Sequence, residues 1–222
     1  MKSLFIFFQH LAPQHLLSRL AGKLADASTP ALKNFMIRKF VKRYGVNMAE
    51  AINSEAEDFA TFNDFFTRAL KPGTREVHSA PDSLVSPADG IISAAGNITG
   101  DQLFQAKGKS FSLAALLGGD SDTASSFLDG SFVTVYLSPK DYHRVHMPCA
   151  GILKKMIYVP GKLFSVNQTT SERIDDLFAR NERAVCLFDT DAGPMAMILV
   201  GAMIVAGIET VWSGQVAPAP HG

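Results

Sequence analysis

At Lys71-Pro72-Gly73-Thr74 the chain changes its hydrophobic period, and this change limits its fold more than any other feature. Ahead of it, apolar residues recur at helical spacing; from about Val85 they gather in short β-forming runs. Ser3 to Leu11 is Phe-rich and ends before Pro13. Gln14 to Leu24 repeats Leu16, Leu17, Leu20 and Leu24. A third helix opens at Thr29-Pro30, sets Leu32, Phe35, Met36 and Phe40 against Lys33, Arg38, Lys42 and Arg43, and closes at Gly45. Thr61 to Asp64 has capping-box character and starts a helix carrying Phe65, Phe66 and Leu70.

Beyond the break, Ser131 to Leu137 and Ile152 to Val159 read as strands, and Ala184 to Asp189 with Met195 to Val200 as a hairpin. Ser112 to Gly118 reads as a single capped helix between strands. The expected fold class is α+β, with amino-terminal amphipathic helices followed by a β-rich, sandwich- or barrel-like catalytic body. The expected division is a helical, membrane-associating region over residues 1–75 and the β-rich body over 76–222. Ala192 to Ile208 is the longest uncharged stretch. It is shorter than the ~20 residues of a spanning helix and is broken by Pro194 and three glycines, so buried strands are expected.

The formal net charge is zero, yet it is unevenly spread. Up to Gly45, Lys2, Arg19, Lys23, Lys33, Arg38, Lys39, Lys42 and Arg43 face only Asp26, so the remainder is acidic. A basic, Phe-rich arm on an acidic body points to an anionic partner, membrane or nucleic acid. No nucleic-acid-binding motif accompanies the arm, so nucleic acid is not expected. Cys149 and Cys186 make no disulfide framework and suit a reducing compartment. The run Leu4 to Phe8 is too short for a signal peptide and has no small-residue cleavage pattern after it.

Two motifs carry chemistry. In Ser138 to Pro148, Ser138 suits an N-cap, Pro139 a first helical position, and Asp141 a capping carboxylate. That turn should end near His143, with Arg144 to Met147 extended before Pro148. His143 and His146 can then converge across the junction, which suggests acid-base chemistry. In Ser86-Pro87-Ala88-Asp89-Gly90, Asp89 is either a turn residue or a carboxylate that orients a histidine. His143, His146 and Cys149 are also spaced as zinc ligands, and a zinc-dependent enzyme is the alternative. A non-catalytic, membrane-bound β scaffold is a further alternative. No Gly-x-Ser-x-Gly elbow marks a serine hydrolase.

These motifs, with Gln105 to Gly108, Pro160 to Asn167, Leu177 to Arg183 and Phe62 to Arg68, resemble bacterial phosphatidylserine decarboxylase over nearly the whole chain. The resemblance implies a proenzyme that cuts itself at a Gly-Ser bond near its carboxyl end. The serine becomes a covalent pyruvoyl group on a small α subunit. Asp89 and His146 match the pair that activates this serine, since an unassisted hydroxyl attacks poorly. His143 matches the histidine of the decarboxylation step. The pyruvoyl carbonyl would condense with the head-group amine of phosphatidylserine and take up electrons as carbon dioxide leaves. Ser165 and Asn167 match a segment expected to contact that head group.

The cleavage motif Leu-Gly-Ser does not occur, and Gly130-Ser131, the only Gly-Ser pair, reads as a hairpin turn. The chain is therefore expected to be most of a β subunit, with the pyruvoyl-forming serine outside it, and inactive alone. Expected partners are the α subunit, phosphatidylserine and an anionic phospholipid membrane, with a homodimer left open. The expected location is peripheral, on the cytoplasmic face of the inner membrane, held by Phe5, Phe7, Phe8, Leu16, Leu17, Leu20 and flanking cations.

Overall fold

A computed structural model describes residues 2–78, 80 and 82–217. The chain divides into two compact units, one from Met1–Leu20, Ala94–Thr134 and Gly151–Gly222, the other from Ala21–Ser93 and Val135–Ala150.

The expected helices form as α1 (Lys2–Leu11), α2 (Gln14–Ala25) and α3 (Pro30–Tyr44). Pro30 stands at the start of α3, where a missing N–H costs nothing, and Gly45 ends it by donating to Val41 O at 2.9 Å. Helix α4 (Phe62–Phe66) starts at Thr61, whose side chain accepts from Asp64 N at 3.1 Å. It is shorter than its apolar pattern suggests. Thr67 Oγ1 donates to Asn63 O at 2.8 Å, taking up a last-turn carbonyl, and Leu70 instead bridges Ala51. Ile37, Val46, Phe59 and Phe65 are buried here, with Phe40, Phe62 and Phe66 around them.

The other unit is built on an antiparallel sheet of β5 (Ile152–Val159), β6 (Arg183–Thr190) and β7 (Gly193–Val200). Strand β6 is central and buried on both faces, so its sequence is a continuous apolar run rather than an alternation. On one face Val185 joins Leu103, Phe111, Leu116 and Leu117. On the other, Ala184 joins Ile208, Val216 and Ala217. The second set comes from the hairpin β8 (Ile208–Thr210) and β9 (Gly214–Ala217), the first in part from β2 (Gln102–Ala106) and β3 (Lys109–Ser112). The uncharged stretch after Ala192 is thus β7 and the approach to β8. No helix among the described residues is long and apolar enough to cross a membrane.

Short helices fill the connections: α5 (Leu113–Leu116), capped by Ser112 as expected, α6 (Ser121–Ser125), α7 (Gln168–Ser171) and α8 (Leu177–Arg180). Arg183, buried at the start of β6, donates to the carbonyls of Leu116, Ala179 and Asn181 at 2.7–2.9 Å, and also to Ala115 O. Burial pushes its pKa down to about 10, so it stays charged at neutral pH while closing the ends of α5 and α8. Gln105 works similarly: its Nε2 donates to Ser171 O and Ile174 O, and its Oε1 accepts from Leu177 N.

The remaining strands, β1 (Ile91–Asn97) and β4 (Ser131–Tyr136), pair with each other. The fold is α+β as expected. Among the described residues, however, the strands make four separate sheets and no closed barrel. Asp129, at φ 60°, and Gly130, donating to Phe127 O, form a turn ahead of β4, but it follows α6 and not a strand, so it is not the hairpin turn expected.

Candidate active site

Two loops of one unit lie side by side. His146 N donates to Pro87 O at 2.8 Å, and Val85 N to Pro148 O at 3.0 Å. These bonds hold the Asp89 turn against the two-histidine segment. Gly90 follows Asp89 with no room for a side chain, because a Cβ there would collide with Tyr136 O and Val135. The Ser138 turn closes differently from expectation. Asp141 N donates to Ser138 O, and Asp141 Oδ2 accepts from Ser138 N at 2.6 Å. The carboxylate caps backward, so Ser138 is not an N-cap and no helix forms there.

His143 is half-buried, with its ring 4.0 Å from that of Phe66. Its Nδ1 is 2.8 Å from Asp141 O. A carbonyl oxygen only accepts, so Nδ1 carries the proton and Nε2 keeps its lone pair. Burial lowers the pKa, partly opposed by the Asp141 carbonyl, and the ring is neutral near pH 7. His146 is placed by Tyr142, whose hydroxyl lies 3.1 Å from His146 Nε2 and whose ring stacks on the imidazole at 5.6 Å.

Asp89 is held by Arg75, which sequence reasoning passed over. Arg75 Nε and Nη2 donate to Asp89 Oδ1 and Oδ2 at 2.9 and 2.6 Å, and Nη2 also reaches Glu50 Oε2 at 2.8 Å. This two-pronged bond depresses the Asp89 pKa, so the carboxylate is ionised at neutral pH. In this state Asp89 bonds Arg75 rather than His146. Glu50, Arg68, Arg75, Asp89, Asp141 and Tyr142 line a cleft of about 170 Å³. Arg68 is buried; its Nη2 donates to Lys140 O at 2.9 Å, while its Nε and Nη1 have no hydrogen-bond partner among the described residues. Burial lowers its pKa, opposed by Glu50, Asp141 and Asp89. Arg75 stands in no motif that the sequence marks, whereas Arg68 ends the Phe62 to Arg68 stretch; only the folded chain brings Arg75 to Asp89 and puts Arg68 in the wall of the same cleft.

The zinc alternative has no geometric basis. Among the described residues, no three His, Cys, Asp or Glu side chains group closely enough to hold a metal ion. His143 Nδ1 and His146 Nε2 are engaged as above, and Cys149 is a free, half-buried thiol.

Ser165 and Asn167 lie in the other compact unit, on the segment leading into α7. Asn167 caps that helix: its Oδ1 accepts from Thr170 N at 3.2 Å, and its own N–H reaches Thr170 Oγ1 at 3.0 Å. Ser165 N donates to Gln9 Oε1 at 2.9 Å.

A neutral half-buried imidazole, a second imidazole on a tyrosine and an ionised carboxylate thus stand in one unit, and groups of these kinds can take up and give protons. The phosphatidylserine decarboxylase family model matches residues 62–218, and a second model, described as PSD, matches residues 4–45. The phosphatidylserine decarboxylase proenzyme of Marinobacter nauticus is 62% identical over 216 residues, covering 97% of this chain and 76% of that protein. That of Hahella chejuensis is 61% identical over 215 residues, 97% of this chain and 73% of its own length. That of Pseudomonas putida is 59% identical over 219 residues, 98% and 76%. The chain belongs to the phosphatidylserine decarboxylase family.

Proposed function

We propose that this chain decarboxylates phosphatidylserine to phosphatidylethanolamine as the β portion of a self-cleaving proenzyme, and that Asp89 and His146 serve the cleavage. The observation that carries this reading is the 2.8 Å bond from His146 N to Pro87 O, which keeps the Asp89 turn beside the histidine segment. His146 takes the proton from the attacking serine hydroxyl, and Tyr142 sets the orientation of its ring. Arg75 keeps Asp89 ionised, so that its charge favours the imidazolium formed on proton transfer.

The residues present fit a pyruvoyl group by their chemistry: proton donors and acceptors around a cleft, with a buried cation in its wall, Arg68, two of whose nitrogens lack partners among the described residues. Such a group, when bound, supplies a carbonyl that draws off the electrons left by departing carbon dioxide. His143, neutral with its proton on Nδ1 and a lone pair on Nε2, handles the proton of that second reaction. Ser165 and Asn167 contact the head group. A small α subunit pairs with this chain, and the exposed Ile91 and Ile92 on two-stranded β1 are apolar strand surface of the kind a further chain covers.

The enzyme sits peripherally on the cytoplasmic face of the inner membrane. Support comes from α1 and α2, which leave Leu4, Phe7, Phe8, Leu11, Leu16 and Leu20 more than half exposed.

In the full-length proenzyme, His146→Ala and Asp89→Asn should slow self-cleavage at least ~100-fold, leaving uncut chain on a denaturing gel. Normal processing of both would overturn the assignment.

A further inference from the structure

The amino-terminal hairpin docks by its polar face. Gln9, Gln14 and Ser18 are buried while the leucines and phenylalanines beside them face outward. Burying amides costs free energy unless they find partners, and apolar residues would pack as well without that cost. Their partners are backbone groups. Along the segment Lys162 to Ser165, successive N–H groups are held alternately. Lys162 N donates to Arg180 O at 2.8 Å and Phe164 N to Asn181 Oδ1 at 3.0 Å. Leu163 N donates to Gln14 Oε1 at 2.7 Å and Ser165 N to Gln9 Oε1 at 2.9 Å. The α8–β6 corner thus supplies one set of acceptors, and two side-chain amides supply the other, as a neighbouring strand would.

The two amides act together, because Gln14 Nε2 donates to Gln9 O at 2.7 Å. His15 Nε2 donates to Gly161 O at 2.9 Å, and Ser18 Oγ accepts from Ile204 N at 3.1 Å. The segment has no slack at its start either. A Cβ on Gly161 would lie 2.5 Å from Arg180 O and 2.6 Å from Glu182 N. Its far end runs into Asn167, the cap of α7.

We propose that Gln9 and Gln14 are positioning residues for substrate binding. They hold the Leu163–Asn167 backbone in the form that presents Ser165, so the hairpin whose apolar face meets lipid also shapes the head-group contact. This rests on the reading that Ser165 contacts the head group.

The test uses the full-length, processed enzyme, assayed on phosphatidylserine in mixed vesicles and on a dispersed short-chain phosphatidylserine. Gln9→Met and the pair Gln9→Met/Gln14→Met keep the side-chain length but remove the acceptors. Both should self-cleave fully and sediment normally with vesicles. KM should rise about tenfold in the pair and about threefold in the single variant on both substrates, with kcat changed less than about twofold. Gln9→Glu restores an acceptor opposite Ser165 N and should bring KM back toward wild type. An unchanged KM would overturn the proposal. So would a rise confined to vesicles and accompanied by lost sedimentation, which would make the hairpin an anchor alone. If the pair fails to fold, Gln9→Met and Gln9→Glu decide. A raised KM in Ser165→Ala beside an unchanged KM in Gln9→Met would overturn the positioning role and keep the contact. Unchanged KM in both would overturn the contact reading itself.

Discussion

At the residue scale, the two histidines differ because their surroundings differ. His143 is packed on Phe66 and bonded to a carbonyl, which keeps its imidazole neutral. His146 is set by a phenol beside a charged cleft. His143→Ala should therefore still self-cleave, yet turn over phosphatidylserine at least ~100-fold more slowly. A normal decarboxylation rate would reverse the division of labour. The same burial predicts a pH effect on stability. His143 has its folded pKa below 6.5, so the unfolded chain binds more protons between the two values. Stability from this group is full above the unfolded pKa and falls as pH drops through the window below 6.5. Asp89 acts lower on the scale: Arg75 depresses its pKa, and its contribution is lost only as pH falls through the carboxylate range. Urea midpoints followed from about pH 7.5 to about pH 5 should decline, and His143→Phe should flatten the decline. An equal slope in both proteins would remove His143 as its source.

At the scale of elements, capping chemistry was legible in advance. Thr61, Ser112, Pro30 and Gly45 mark helix ends where expected, since caps depend on neighbours within a few residues. Lengths were less legible. Helix α4 stops at Phe66 because Thr67 takes a carbonyl of its last turn, although the apolar pattern continues to Leu70. Short α7 and α8 had no periodic signal; both are held by Gln105, far off in the chain, and α8 also by Arg183 just beyond its end. Among the described residues of the unit from Ala21–Ser93 and Val135–Ala150, Phe65 is the bulkiest fully buried side chain. It is fully buried, with ring centroids 5.6 Å from Phe59 and 5.8 Å from Phe40. Phe65→Ala should cost about 3–5 kcal/mol, read as a lower urea midpoint with an unchanged slope. The neighbouring but exposed Phe35 offers the control, since Phe35→Ala removes little buried area. Equal losses from both would mean that the aromatic cluster is not the core of this unit.

At the scale of the molecule, neutrality hides a basic amino-terminal region on an otherwise acidic chain. The side of α1 and α2 that carries exposed leucine and phenylalanine is the surface to test. Phe7→Ser, Phe8→Ser and Leu16→Ser together leave the docked glutamines untouched. Each removes apolar area worth about 1.5–3 kcal/mol if fully buried in lipid, so co-sedimentation with phosphatidylserine vesicles should weaken at least ~100-fold. Added salt should weaken the unaltered protein further, by screening its cations. Equal binding of both proteins would remove the hairpin as the anchor.

The sequence by itself determined the helices at the start of the chain, strands β4 to β7, and the family, because periodicity, caps and long motifs are local properties of a chain. Asp89, His143 and His146 could be singled out for the same reason, as members of contiguous motifs. Only the tertiary structure decided that Arg75 bridges Asp89 and Glu50, that Tyr142 orients His146, and that buried glutamines hold a segment some 150 residues away. It also decided that α1 and α2 turn their polar side inward. Amphipathic spacing reveals that a helix has two faces, while the partners that choose between them, here backbone N–H groups needing acceptors, exist only once the rest of the chain has folded.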